Sequence, residues 1–184
     1  TRIFLPLVLS IFFSLHLIAD ETVVQGKIKG FDSKTIKVGI YKDYITNEKE
    51  WLTEAVIQNG SFKLTFELAA IEQIILKIED KETSLFAEVG KVYNLGLSFD
   101  EEANRGQAFN KFLNLSFTFP KTSELNQQIK SFNSAYQDFF AANYAKMMYK
   151  GATKETQEFI AVWSEKKESS TSKFLKNYIK YTLS

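Results

Sequence analysis

Between Thr22 and Phe99 apolar side chains recur at every second position, in short runs parted by turn residues. That spacing predicts half-buried strands. In TVVQGKIKGF, Val24, Gly26 and Ile28 share one side while Gln25, Lys27 and Lys29 take the other, and TIKVGIY places Ile36, Val38 and Ile40 in the same way. AVIQNGSFKLTFEL predicts a hairpin, because Asn59-Gly60 is a favoured type I′ turn pair and Phe62, Leu64, Phe66 and Leu68 then face inward. EQIILKIE, TSLFAEV and VYNLGLSF continue the series, the last with Tyr93, Leu95, Leu97 and Phe99 on one face. About seven short strands joined by connections of a few residues predict an antiparallel β-sandwich or small barrel.

Near Asp100 the period lengthens to that of a helix. FDEEANRGQAFNKFLNLSF is expected as a helix or a connecting segment closed by Pro120. From Ser123 to Tyr149 the stripe Leu125, Ile129, Phe132, Tyr136, Phe139, Asn143, Met147 predicts one long helix, widened by Phe140 and Tyr144 and ended by Gly151. Thr153 is a candidate cap for a further helix bearing Phe159, Ile160, Val162 and Trp163. ESSTS interrupts or re-caps it before Phe174, Leu175, Tyr178, Ile179 and Leu183 restore the apolar face. A coiled-coil dimer seam would show complementary flanking charges, which this stripe lacks, so helices packing within the chain are favoured. The expected fold class is therefore α+β, with a β domain over residues 20–100 and a helical region over 101–184 that continues beyond the segment.

The first 19 residues stand apart. Arg2, the apolar run Ile3 to Leu15 and the small Ala19 before Asp20 and Glu21 have the layout of an export signal. The run is short and is broken by Pro6, Ser10, Ser14 and His16, where a bilayer span needs about 20 apolar residues. An uncleaved N-terminal anchor is the alternative. The expected location is the periplasm or cell envelope, with membrane contact only through this signal. Thr1 at the start and the uncapped FLKNYIKYTLS at the end lead us to expect a piece of a longer protein.

Charge and composition narrow the chemistry. Removing Arg2 from the 23 basic residues balances the 22 acidic ones, so no nucleic-acid partner is expected. There is no cysteine, and the one histidine, His16, lies in the export segment. Cysteine nucleophiles, Ser-His-Asp triads, His/Cys zinc sites and disulfides are thereby excluded from the mature chain. None of the GxGxxG, GxxxxGK[ST], HExxH and GxSxG patterns occurs, so no catalytic residue, cofactor or metal site is expected. Asp100, Glu101 and Glu102 lack the ligand spacing of a calcium loop and are read as a solvated connection. One stretch suggests binding. KDYITNEKEW carries Asp43, Glu48 and Glu50 beside the aromatic residues Tyr41, Tyr44 and Trp51, a set that can stack on a sugar ring or hold a peptide. Otherwise Tyr41 and Trp51 close the open end of the sandwich.

VVQGKIKGF, TIKVGIY, the Gly-Ser-Phe turn of VIQNGSFKLTFEL and SLFAEVGKVYNLGLSF together resemble the N-terminal β-domain of exported Bacteroidetes envelope proteins, over roughly Thr22 to Phe99. That domain often precedes a thioredoxin-like domain. The resemblance implies a non-catalytic periplasmic accessory or scaffold module, its partner an unknown envelope protein or its own downstream domain. No C-x-x-C occurs, so thiol-disulfide activity is carried over to no residue. Two alternatives stay open: the N-terminal part of a thiol-disulfide oxidoreductase with its catalytic domain downstream, and a carbohydrate- or peptide-binding envelope protein using Tyr41, Tyr44 and Trp51.

Overall fold

The structure, a computed structural model, describes residues 20–106, 111–117, 124–149 and 151–184. The expected export segment and its cleavage point lie outside the described residues. From Asp20 onward the alternating pattern becomes strands β1 (Glu21–Ile28), β2 (Thr35–Asp43), β3 (Glu48–Val56), β4 (Ser61–Glu67), β5 (Glu72–Ile78), β6 (Lys81–Ala87), β7 (Val92–Phe99) and β8 (Lys111–Phe117). They form one sheet in the order β3-β2-β5-β6-β8-β7-β1-β4. Most neighbours are antiparallel, but β1 with β7 and β6 with β8 are parallel. The sheet curls until its two ends approach, which selects the barrel over the sandwich. Val24, Ile28, Ile36, Val38, Phe62, Leu64, Phe66, Leu68, Tyr93, Leu95 and Leu97 are all buried in its interior, as their spacing predicts.

Two local expectations are corrected. The stretch read as a helix or connection holds a strand, β8, whose Leu113 is buried in the core while Leu115 packs against it. Its pairing comes mostly from β7, Leu95 to Phe99 facing Phe117 to Leu113. Asp100, Glu101 and Glu102 accordingly open a turn leading into that strand, not a helix. The Asn59-Gly60 turn forms, with positive φ at both residues and reciprocal Gln58–Ser61 backbone hydrogen bonds, yet it does not make a two-stranded hairpin. After that bridge β3 stays with β2 while β4 turns to β1. The turn is where the two sheet ends come together, and it is held there by Ile28 N–H on Gly60 O at 2.8 Å and Gly60 N–H on the Asp32 carboxylate at 2.8 Å.

Beyond β8 lie α1 (Leu125–Tyr149), α2 (Thr153–Ser169) and α3 (Lys173–Thr182). Gly151, at φ 65°, parts the first two. Ala152, not Thr153, occupies the N-cap of α2, whereas Ser172 caps α3 by accepting from Leu175 N–H. The α1 stripe meets α2 within the chain as an antiparallel pair: Phe132 on Trp163 at 4.9 Å, Phe139 on Phe159 at 4.5 Å, and Lys146 on Glu155. Phe86, on the outer side of β6, joins the helices to the barrel through Phe174 at 5.1 Å and Tyr178 at 5.9 Å.

Candidate functional site on the outer face of the barrel

Tyr41, Tyr44 and Trp51 lie on the outer side of β2 and β3 and the loop between them. They do not close an end of the barrel. Gly39 of β2 faces Trp51 of β3 across a bulge, the register stepping from Val38↔Thr53 to Gly39↔Trp51. A Cβ at Gly39 would stand 2.8 and 3.2 Å from ring carbons Cε3 and Cζ3 of Trp51, and 2.6 Å from Glu50 O. Glycine is thus what lets the indole lie against the strand. Trp51 remains 40% exposed. Its indole borders a cleft of about 480 Å³ walled by Ser33, Thr35, Lys37, Lys77 and Glu79.

Lysines hold this face in order. Glu82 of β6 accepts from Lys49 at 2.7 Å and sits 3.2 Å from Lys77, so one carboxylate ties β3, β5 and β6 together across the sheet. Burial pushes the Glu82 carboxyl up, but hydrogen bonds from Lys49 and Lys77 outweigh it and leave it below the usual range. The same two ammonium groups flank the rings, Lys49 at 5.7 Å from the centre of Tyr41 and Lys77 at 6.0 Å from that of Trp51.

The β2–β3 loop is built by Asp43, whose Oδ1 accepts from Ile45 N–H at 2.7 Å and Thr46 N–H at 3.3 Å. Those two bonds hold its carboxyl below the ordinary value. Asn47, at φ 57°, completes the turn. The loop sets Tyr44 against Tyr41 at 4.9 Å and presents Tyr44 and Ile45, 61% and 92% exposed, at its tip. Partial burial, then the Glu72 carboxylate, raises the Tyr44 phenol.

The tyrosines are therefore in ring contact, and Trp51 stands two residues farther along the same face. Sequence reasoning missed Lys77 and Glu82, which complete the cluster. They sit about 30 residues away from Trp51 in the chain, and no spacing rule marks them. Among the described residues no group of three His, Cys, Asp or Glu side chains could hold a metal ion. No helix among them is long and apolar enough to cross a membrane.

The site so defined is an aromatic platform on an α+β barrel. No family model matches the chain, and no curated protein does. Among solved structures, a protein from Eubacterium rectale determined by NMR aligns at a TM-score of 0.32 and 12% identity, covering 55% of this chain and 94% of that one. A 9R-lipoxygenase from Cyanothece PCC8801 aligns at a TM-score of 0.31 and 12% identity, with 76% of this chain spanning 26% of the enzyme. Similarity of that size carries no argument about what this chain does.

Proposed function

We propose that this chain is a non-catalytic accessory module of the cell envelope, exported by its first 19 residues, which works by holding a ligand or partner against the Tyr41–Tyr44–Trp51 face. The observation that supports this is the construction of that face. An indole lies against a glycine and is partly open to solvent, two tyrosines meet at a tilt on the same face, and the lysines around them are tied to a shared carboxylate. Exposed rings on a stiff sheet lose little freedom on binding, which favours recognition. The shifted carboxylates nearby are all lowered, Asp43 by backbone N–H bonds and Glu79 and Glu82 by lysines, which suits fixed hydrogen bonds and ion pairs and not proton donation to a substrate.

The resemblance of Thr22 to Phe99 to exported envelope domains supports the location. A chain carrying Trp163→Phe leaves Trp51 as the only tryptophan. Its emission should shift on titration with an envelope oligosaccharide or an aromatic peptide, and Trp51→Ala should abolish that binding in calorimetry. Turnover of a sugar, ester or disulfide substrate that is lost on changing Asp43, Glu50 or Glu101 would instead establish an enzyme.

A further inference from the structure

The cleft beside Trp51 combines one apolar wall with a polar rim. The rim is drawn from distant parts of the chain: Ser33, Lys34 and Thr35 where the chain enters β2, Lys37 within β2, and Lys77 and Glu79 around the end of β5. Each of its lysines already rests on a carboxylate, Lys34 on Glu79 at 2.6 Å, Lys37 on Glu54 at 2.9 Å and Lys77 on Glu82 at 3.2 Å. The cleft is charge-balanced, so it offers an ionic ligand little net attraction.

The apolar wall is the indole, braced by Gly39 and left partly exposed. Around it stand donors and acceptors with capacity to spare. The hydroxyls of Ser33 and Thr35 make no hydrogen bond among the described residues. A lysine ammonium keeps protons beyond the one in its ion pair, and the Glu79 carboxylate keeps lone pairs beyond those facing Lys34. The fold fixes these groups in place: Ser33 and Glu79 sit in left-handed turns at φ 62° and 54°, and Ser33 N–H donates to Ile57 O at 2.9 Å.

We propose that this cleft is a subsite for a neutral pyranose of gluco configuration, an inference that rests on reading the Tyr41–Tyr44–Trp51 face as a binding surface and names the ligand class it takes. Such a sugar has one flat C–H face and carries its hydroxyls around the ring edge. The face lies on the indole, while the edge hydroxyls donate to Glu79 and accept from Ser33, Thr35 and the lysines. An aromatic side chain would cover the indole equally well but would bury the polar rim without partners. The volume, about 480 Å³, falls within the roughly 300–1,000 Å³ of small-molecule sites.

The test follows the indole N–H signals of the full chain in proton–nitrogen correlation spectra, Trp51 and Trp163 being its two tryptophans. Cellotriose, laminaritriose and triacetylchitotriose are titrated singly to about 10 mM, enough to saturate a Kd on the order of 1 mM. At least one should move the Trp51 signal saturably and leave that of the buried Trp163 in place. Ser33→Gly with Thr35→Val removes both hydroxyls while suiting the left-handed turn and keeping the shape of the threonine, and should weaken that binding about fivefold or more. Raising sodium chloride from about 50 to about 500 mM should change the affinity less than twofold. The proposal is overturned by no shift with any of the three sugars, by equal shifts of both indoles, by unchanged affinity without the two hydroxyls, or by a several-fold loss in salt. The peptide Gly-Phe-Gly amide separates the two levels of the argument. If it moves the Trp51 signal where no sugar does, the binding face stands and its saccharide ligand falls; if neither moves it, both fall.

Discussion

Asn126 is the joint on which the helices hang, and removing its amide measures that joint. β6 is paired with β5 along its whole length, but on its other side, among the described residues, β8 reaches it only at Lys81 and Glu82. Farther along, the peptide of Phe86 would face an empty strand position. The Asn126 side chain fills it, Oδ1 accepting from Phe86 N–H at 2.7 Å and Nδ2 donating to Phe86 O at 2.8 Å. One residue of α1 thus acts as a strand neighbour. Asn126→Ala deletes both bonds and leaves a part-buried donor and acceptor without partners. At about 1 kcal/mol per bond in net terms, and more where the orphaned group stays dry, the expected cost is about 1–3 kcal/mol. For a chain of this size that lowers Tm by roughly 3–10 °C. The assay is urea unfolding followed by far-ultraviolet circular dichroism, with Trp163 emission, read in a chain carrying Trp51→Phe, as a separate reading of helix packing. Asn126→Asp retains the acceptor for Phe86 N–H but sets a carboxylate beside Phe86 O, so it should lose at least as much. A change within about 0.5 kcal/mol for Asn126→Ala, the size of an ordinary surface substitution, would refute the reasoning.

Three further outcomes are expected. Phe62→Ala, Leu64→Ala and Phe66→Ala should each cost about 2–5 kcal/mol in urea unfolding, whereas Lys63→Ala and Thr65→Ala on the other side of β4 should stay within about 0.5 kcal/mol. Gly39→Ala should cost about 1–3 kcal/mol and shift the Trp51 emission, because the new methyl meets Glu50 O and the indole; an unchanged spectrum would show that the ring does not rest on β2. Acid should destabilise the chain: Glu79, Asp80, Glu82, Glu155 and Glu168 all have carboxyls lower in the folded state than when free, through bonds from lysines. The folded chain therefore binds fewer protons, its advantage is complete above about pH 5, and it drains away as pH falls toward the folded value of about 2 at Asp80. A urea midpoint constant between pH 7 and pH 3 would contradict this.

The alternation of Val24 with Ile28, of Ile36 with Val38 and of Phe62 through Leu68 was legible in the chain because a strand's side chains alternate whatever the strand pairs with. For the same reason the stripe on α1 and the break at Gly151 could be read directly. β8 was not, because Leu113 and Phe117 are four apart and satisfy a helix as well as a strand; pairing with β7 decides between them. Asn59-Gly60 dictated a turn, but whether β4 then lay beside β3 or β1 depended on which long-range partner offered the better buried face. Tyr41, Tyr44 and Trp51 could be named as a set from nearness in sequence alone. That Lys77 and Glu82 join them, and that Ser33, Thr35 and Glu79 wall one cleft with Trp51, follows only from strand order, since the chain's local pattern records which face a residue takes but not which strand will stand next to it.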